Sequence, residues 1–394
     1  MTYLTTPDHD ELRAMVRELA EERIAPRAAE IDEKAEFPWD LKQLLAESDL
    51  MGTCFEERHG GTALDTIAQS ILVEELARAD ATTSLLPIVQ KLGALPILLA
   101  GSDEQKERYL RPMASGQVIG AYGLTEPGAG SDSRGTRTRA RRDGDGWILD
   151  GGKRFITNAG VAGTYIVTAV TDREEESGKI SAFIVEADTP GTPGFETARL
   201  EHKMGIRGSP TAELTFDGVV VPDANRIGEV GEGWRIAMRT FERSRPGIAA
   251  QAVGIAQGAI DAAVAYAADR TQFGERLVDF QGIGWMLADM ASQTEAARQL
   301  TYAAAARVDA QARDLPYWTS SAKLVAGDTA MRVTTDAVQV LGGYGYITEY
   351  PVERMMRDAK ITQLYEGTQQ IQRLVVARQL LQRAGVGARP KGQE

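Results

Sequence analysis

The sequence predicts a mainly helical protein with a central β domain: an N-terminal helical domain, an antiparallel, barrel-like middle domain, and a C-terminal four-helix bundle. Apolar residues recur at helical spacing up to about Gln117, and short alternating runs rich in β-branched residues follow. From Gly231 the helical period returns in long stretches. With 394 residues and 43% hydrophobic content, the chain has ample material for a core and a length that suits two or three domains. The divisions fall at 1–118, 119–226 and 227–383, and 384–394, which has no apolar stripe, reads as a mobile tail.

In the first domain Thr6 is placed to cap a helix that Pro7 begins and that Leu12, Val16 and Leu19 line. Further helices are expected at Asp40–Glu47, Leu64–Ala79 and Asp103–Leu110. The apolar run Ser84–Gly101 contains Gln90, Lys91 and two prolines, so it reads as buried protein and not as a membrane span. The strands of the middle domain are sought in GWILDGGKRFI, TYIVTAVTD, ISAFIVEA and AELTFDGVVVP. Within the first of these, Gly146–Lys153 has the wrong glycine spacing for a phosphate loop, and Arg154 stands where Ser or Thr is required; it reads as a strand and a turn. The bundle is expected from Ile248–Arg270, Gln281–Val308, Leu315–Leu341 and Thr368–Arg383, the first rich in alanine and glycine as suits a closely packed central helix.

A net charge of −12 argues against nucleic acid and against an anionic membrane surface, so any polyanionic ligand must be met by local arginines. The histidines, His9, His59 and His202, lack ligand spacing, and no metal site is expected. One cysteine, Cys54, excludes an intramolecular disulfide and suits a reducing compartment. The start MTYLTTPDHDELRAMV lacks the pattern of a signal peptide, and a cytoplasmic location is the expectation.

Two stretches carry chemistry. In QLYEGTQQIQR, Gln363–Arg373, one carboxylate, Glu366, precedes a helix that Thr368 is suited to cap, and Ile371, Leu374, Val375 and Leu380 form that helix's stripe. A carboxylate in such a loop is a seat for a general base, or else a surface residue complementing the helix dipole. In AYGLTEPGAGSD, Ala121–Asp132, Gly128 and Gly130 let backbone approach a ligand, while Thr125 and Ser131 add hydroxyls. A dinucleotide fingerprint fails there, because Ser133 takes the third glycine position and no alternation of strand and helix surrounds it.

These two strings, with FITNAG at Phe155–Gly160, RTQFG at Arg270–Gly274 and VQVLGGYGY at Val338–Tyr346, resemble the acyl-CoA dehydrogenase family in order and spacing from about Thr6 to Arg383. The resemblance implies helical, β and helical domains, with FAD between the β domain and the bundle. It implies that Tyr122, Leu124, Thr125, Ser131, Phe155, Ile156 and Thr157 wall the flavin ring. Arg270, Gln272, Phe273 and Gln281 would bind the pyrophosphate and adenosine end, together with Gln339, Leu341, Gly342 and Gly343 of a neighbouring subunit. Thr368 and Gln370 would close over the same cofactor, and the enzyme would be a homo-oligomer, a dimer of dimers. FAD is a dianion, and the fork of Arg270 suits it in a chain this acidic.

The implied reaction removes two hydrogens from the α and β carbons of an acyl-CoA thioester, with Glu366 as the α-proton base and an electron-transfer flavoprotein as acceptor partner. A helix N-terminus stabilises a carboxylate by about 0.3–1 kcal/mol, whereas burial raises its pKa by up to about 3–5 units. Glu366 is therefore expected to be solvated and acidic in the free enzyme and to rise towards neutrality under a bound acyl chain. The family's other position for a base is Ser244 here, just before Arg245, which leaves Glu366 as the only candidate. By the same resemblance Glu242, Ser244 and Arg245 line the CoA channel, and Ser131, Tyr365 and Gly367 also meet the substrate.

Leu85, Ile88 and Val89 align with the bottom of the acyl pocket, which favours short or branched chains. Thr83 stands where glutaryl-CoA dehydrogenases carry an arginine, which argues against a dicarboxylyl substrate. Phe155 replaces a tryptophan common in the family, Lys91 occupies a position usually small and neutral and is expected to face solvent, and Cys54 reads as a small buried side chain. The competing readings are a dehydrogenase of carrier-protein thioesters, an oxidase, and a non-catalytic flavin-binding regulator.

Overall fold

Thr6 caps the first helix, α1 (Pro7–Leu19): its hydroxyl accepts the His9 amide at 3.4 Å, and the His9 ring accepts the Thr6 amide at 3.1 Å. The computed structural model describes residues 4–172, 179–187 and 192–386, so most of the expected mobile tail lies outside the described residues. Four of the five helices that complete the first domain are long: α3 (Trp39–Glu47), α4 (Thr66–Ala79), α5 (Ala81–Ala100) and α6 (Asp103–Ala114), with the short α2 (Ala28–Lys34) before them. Acidic or hydroxyl residues start three of them, Asp65 for α4, Asp80 for α5 and Ser102 for α6, each accepting an amide two or three residues into its helix.

The chain then forms β1 (Gly120–Gly123), β2 (Arg139–Asp143), β3 (Gly146–Thr157), β4 (Thr164–Asp172), β5 (Lys179–Glu186), β6 (Phe195–Leu200), β7 (Thr211–Pro222) and β8 (Arg226–Ile227). They make one sheet in the order β6-β7-β3-β2-β4-β5-β8, with β1 alongside β4. Pairing is mostly antiparallel, and β4 takes β1 and the first residue of β2 as parallel neighbours. The expected turn within Gly146–Lys153 is corrected: β3 continues through it. The register against β7 slips between Leu149 and Gly151, and Gly151 at φ +142° absorbs the slip. A bulge bends a strand without ending it, which the glycine pair alone does not distinguish from a turn.

The last part comprises α7 (Gly233–Asp269), a hairpin of β9 (Thr271–Gln272) and β10 (Glu275–Arg276), α8 (Gln281–Asp309), α9 (Leu315–Leu341), α10 (Val352–Ala359) and α11 (Gln369–Arg383). α7 begins well before Ile248, because its first turns pack Ile236 and Ala237 against Tyr122, Leu124 and Ile166 of the β domain. Further along, α4 crosses α7 so closely that a Cβ on Gly254 would lie 2.2 Å from the Glu74 carbonyl.

One core joins the two helical parts, with Val73, Leu85 and Ile88 packed among Ile248, Val253, Ala297 and Val340. The other side of α5 packs Ala94 and Ile97 against the β domain. α5 and α7 are long and apolar enough to cross a membrane, yet 72% of the most apolar window of each is buried inside the protein. They are core helices, and between them and the sheet a cleft is left open.

Candidate active site

The cleft, about 600 Å³ in volume, opens where α5, the loop after β1, the end of β3, the first half of α7 and residues 364–378 meet. Tyr122, Leu124, Thr125 and Ser131 line one wall, and Phe155, Ile156 and Thr157 continue it. Ile156 is 2% exposed and its side chain belongs to the β core, so it offers the cleft its backbone. Arg245, Tyr365, Glu366, Gly367 and Thr368 also line the cleft, as do Leu85, Ile88 and Val89 of α5.

Glu366 owes its position to an unusual loop. Its φ is +51° and that of Gly367 is +94°, after which Thr368 caps α11 by accepting the Ile371 amide. Left-handed backbone at a glutamate is strained, and the surroundings hold it there. Gln372 donates to the carbonyls of Glu366 at 3.1 Å and Gly367 at 2.9 Å, Arg245 Nε donates to the Glu366 carbonyl at 3.4 Å, and Lys323 Nζ donates to that of Gly367 at 2.7 Å. Phe155, across the cleft, also has a positive φ, +59°, and leaves its ring 59% exposed.

The Glu366 carboxylate accepts the Ser244 hydroxyl at 2.6 Å through Oε2, while Oε1 is sealed from solvent and has no protein partner. Burial raises its pKa above the ordinary carboxylate range. The Ser244 hydrogen bond and the charges of Arg245, Lys323 and Lys91 act in the opposite direction. The expectation of a solvated carboxylate is thus corrected: desolvation by the protein is already in force without a substrate. An acceptor oxygen with no protein donor, on a residue that lines the cleft, is what a proton abstractor requires.

Ser244 is buried behind Glu366, and Arg245, 6% exposed, donates to Ser320 Oγ at 3.0 Å. Glu242 lies a turn earlier, half-buried and outside the cleft lining, and its carboxyl is pushed up by burial against the pull of Arg245, Arg243 and Arg239. Tyr365 donates its hydroxyl to Gln251 Oε1, so its ring is fixed beside the base.

Other expectations fail. Lys91 does not face solvent: its amine is desolvated and bonds Gln69 Oε1 at 2.7 Å, lining a small, mostly apolar cavity with Ser70 and Ser244. Burial is tolerated because the long side chain finds an acceptor. Thr83 is 0% exposed, bonds Asp80 at 2.6 Å and does not line the cleft, so its identity does not bear on substrate charge. Cys54 is half-buried, and desolvation pushes its thiol up to about 12.

Gln370 is exposed and outside the cleft. So are Gln272, Phe273, Gln281, Gln339, Gly342 and Gly343, and Arg270, which is half-buried, also lies outside it. α9 places Lys323 beside Glu366 and Leu341 at its far end, about 27 Å further along at 1.5 Å per residue. There the Arg270 guanidinium lies 5.3 Å from the Tyr344 ring centre, so the RTQFG hairpin and the LGG turn share one surface. Phe273 is 96% exposed on it, whereas Leu341 is 3% exposed in the core and can offer only backbone.

Sequence reasoning missed Lys323, Gln372, Trp234 and the pair Glu126–Lys153. Lys153 Nζ, 0% exposed, bonds Glu126 Oε1 at 2.6 Å and the Leu124 carbonyl at 3.2 Å, which ties the loop after β1 to β3. Burial lowers the Lys153 amine to about 8, and Glu126 partly offsets this. Trp234 lines the cleft and bonds Ser133 Oγ at 3.1 Å. The available signal was a lysine among small residues in SSAKLVAG and another in a strand, each almost never fully buried unless paired.

A flavin suits this cleft. The wall offers the exposed face of Phe155, the rings of Tyr122 and Trp234, and the hydroxyls of Thr125, Ser131 and Thr157. A Cβ on Gly128 or Gly130 would meet no atom within 4 Å, so the backbone there is open to a ligand.

Three family models match the chain: acyl-CoA dehydrogenase N-terminal domain over residues 6–117, middle domain over 121–219 and C-terminal domain over 231–381. The chain is 50% identical over 374 residues to the probable acyl-CoA dehydrogenase FadE25 of Mycobacterium tuberculosis, covering 95% of each chain. Among solved structures it resembles the butyryl-CoA dehydrogenase of Megasphaera elsdenii, with a TM-score of 0.92, 44% identity, and 97% of this chain and 100% of that one covered. A chain from a study of the electron transferring flavoprotein of Acidaminococcus fermentans and flavin-based electron bifurcation matches with a TM-score of 0.93, 45% identity and the same coverage.

Proposed function

The chain belongs to the acyl-CoA dehydrogenase family, and on that premise we propose that it converts a short or branched acyl-CoA into the trans-2-enoyl-CoA, with Glu366 as the base. The carrying observation is the buried, unpartnered Oε1 of Glu366, a residue that lines the same cleft as Phe155 and Thr157.

Tyr122, Thr125, Ser131, Phe155 and Thr157 would hold FAD, which would supply the acceptor for the β hydride. The chain's own residues do the rest. Glu366 Oε1 takes the α proton, while Ser244 holds Oε2 and so fixes the plane of the carboxylate. Burial makes the carboxylate a stronger base than an exposed glutamate, and Arg245 and Lys323 keep it ionised enough to act. The Glu366 amide, at the turn that precedes α11, is the chain's donor for the thioester oxygen, a kind of contact worth about 2.7–4 kcal/mol where it has been removed from enzymes. Leu85, Ile88 and Val89 exclude water and close the pocket floor, which favours a short or branched chain.

The other half of the FAD site is assigned to a second copy. Arg270, Gln272, Phe273 and Gln281 lie with Gln339, Gly342 and Gly343 on an exposed surface far from the cleft, so they serve the pyrophosphate and adenosine end of a neighbour's cofactor. A homo-oligomer follows, and an electron-transfer flavoprotein is the proposed acceptor.

The test is anaerobic mixing of the yellow protein with straight, branched, aromatic and dicarboxylyl acyl-CoA thioesters. Bleaching by butyryl- or isobutyryl-CoA with release of a product two hydrogens lighter is expected. Colour unchanged by the whole panel would remove the activity, and bleaching only by long chains would remove the substrate assignment.

A further inference from the structure

We propose that Lys323 is a positioning residue for the base: from the first half of α9 it holds the left-handed loop that presents Glu366 and sets a buried amine close enough to influence that carboxylate. The inference rests on the assignment of Glu366 above and extends it to a residue that touches neither substrate nor cofactor. Lys323 is 0% exposed, on the face of α9 that also carries Ser320 and Gly327. Its Nζ donates to the Gly367 carbonyl at 2.7 Å and to Gln369 Oε1 at 3.2 Å. The amide nitrogen of Gln369 is engaged with the Leu324 carbonyl at 2.7 Å and with Asp328 at 3.0 Å, which turns its oxygen towards the lysine.

The loop needs such support. Two successive residues, Glu366 and Gly367, have positive φ, and the carboxylate has a single anchor, Ser244, on one oxygen. Released at Gly367, the loop would relax towards ordinary backbone and swing Oε1 away from the cleft. Lys323 grips the Gly367 carbonyl from α9, Gln372 from α11, and Arg245 grips the preceding carbonyl from α7. A Cβ at Gly327 would approach the Thr362 carbonyl and Gln369 Nε2 to 3.0 Å, so α9 lies against the segment leading into the loop.

The charge acts alongside the grip. Burial lowers Lys323 to about 7, and Glu366 is the first influence opposing that fall. The charged and titratable groups around the pair are Arg245 of α7, Asp328 of α9, Lys91 of α5 and Tyr365 beside Glu366; Asp328 is itself paired with Arg373 of α11 at 2.8 Å. With Lys323 replaced by a neutral residue, Glu366 loses a cation that favours its ionised form. The acidic limb of the base's rate profile must then move to higher pH, as is expected where an opposite charge close by is removed.

The experiment compares holoprotein of the wild type with Lys323→Met, Lys323→Gln and Lys323→Arg, each mixed anaerobically with butyryl-CoA, with the rate of flavin bleaching followed from pH 5.5 to 9. For Lys323→Met the rate at pH 7 should fall tenfold or more while butyryl-CoA affinity stays within about twofold, and the acidic limb should rise by about one unit or more. Lys323→Gln keeps a donor for the Gly367 carbonyl, so it should recover part of the rate with the limb still displaced. Lys323→Arg should return the limb to its wild-type place. A limb unmoved in the Met and Gln proteins overturns the proposal whatever their rates. So does failure of both to hold flavin while the Arg protein holds it, since the lysine would then be structural. A wild type bleached by no acyl-CoA removes the parent assignment and this one together, an outcome distinct from a bleached wild type with unmoved variants.

Discussion

Ionising Glu366 has to be done against burial. Its carboxylate has one hydroxyl partner and cations nearby, and burial still dominates, so its folded pKa lies above the value in the unfolded chain. A carboxyl raised in this way favours folding fully below its unfolded pKa, and that contribution is lost as pH rises through the folded pKa. Above that point the wild type bears the cost of a buried charge and Glu366→Gln does not. The variant's holoprotein should therefore melt higher than the wild type at pH 8, by about 1–3 °C, and the gap should close towards pH 5. Melting curves at the two pH values check this, and a gap that widens on acidification would contradict it. The local setting of Glu366 was legible, because a carboxylate, a glycine and a cap stand in three consecutive residues. Its surroundings were not: Lys91, Ser244 and Lys323 belong to three helices and meet only through packing.

At the scale of elements, what shapes the cleft is a loop tied to a strand and a helix used as a floor. The loop after β1 carries Thr125 and Ser131, and the buried pair Glu126–Lys153 fastens it to β3, with Glu126 also accepting the amides of Arg137 at 2.7 Å and Thr138 at 3.1 Å. Breaking one partner leaves an uncompensated buried charge, which costs about 3–5 kcal/mol. Lys153→Met should accordingly lose flavin on dilution at least tenfold more readily than the wild type, as followed by flavin fluorescence; equal retention would show that the loop holds its shape unaided. On the floor, Ile88 is 5% exposed and shared between the cleft and the helical core. Ile88→Ala should shift the preferred acyl chain by about two carbons towards hexanoyl-CoA, at a stability cost of about 2–4 kcal/mol, read from rates across a chain-length series and from denaturant melts. A lower rate with no change of preference would place the chain's end elsewhere. The helices of this region were legible from their period and caps, such as Thr6 and Thr368. The unbroken β3 was not, because Gly151 absorbs a register slip that a glycine pair in sequence presents as a turn.

For the whole molecule, the order helical, β, helical was legible from the change of period near Gly120 and its return after Gly231. What the sequence left indistinct was which motifs share a site. RTQFG and VQVLGGYGY meet at one surface, and Lys323, beside Glu366, lies about 27 Å along α9 from Leu341 at that surface. If a second copy completes the FAD site, Arg270→Ala should fold with unchanged helical content, lose flavin at least tenfold more readily, and regain part of it at high protein concentration. Wild-type-like retention would assign Arg270 to the surface alone.

The most direct test of the account is the rate at which Glu366→Gln holoprotein is bleached by the acyl-CoA that bleaches the wild type fastest. With the α-proton acceptor removed and the cleft otherwise intact, the variant should bind that thioester with similar affinity and stay yellow, its bleaching slowed at least a thousandfold. Bleaching within about tenfold of the wild-type rate would mean that another group takes the proton and that the position of Glu366 is incidental to the chemistry.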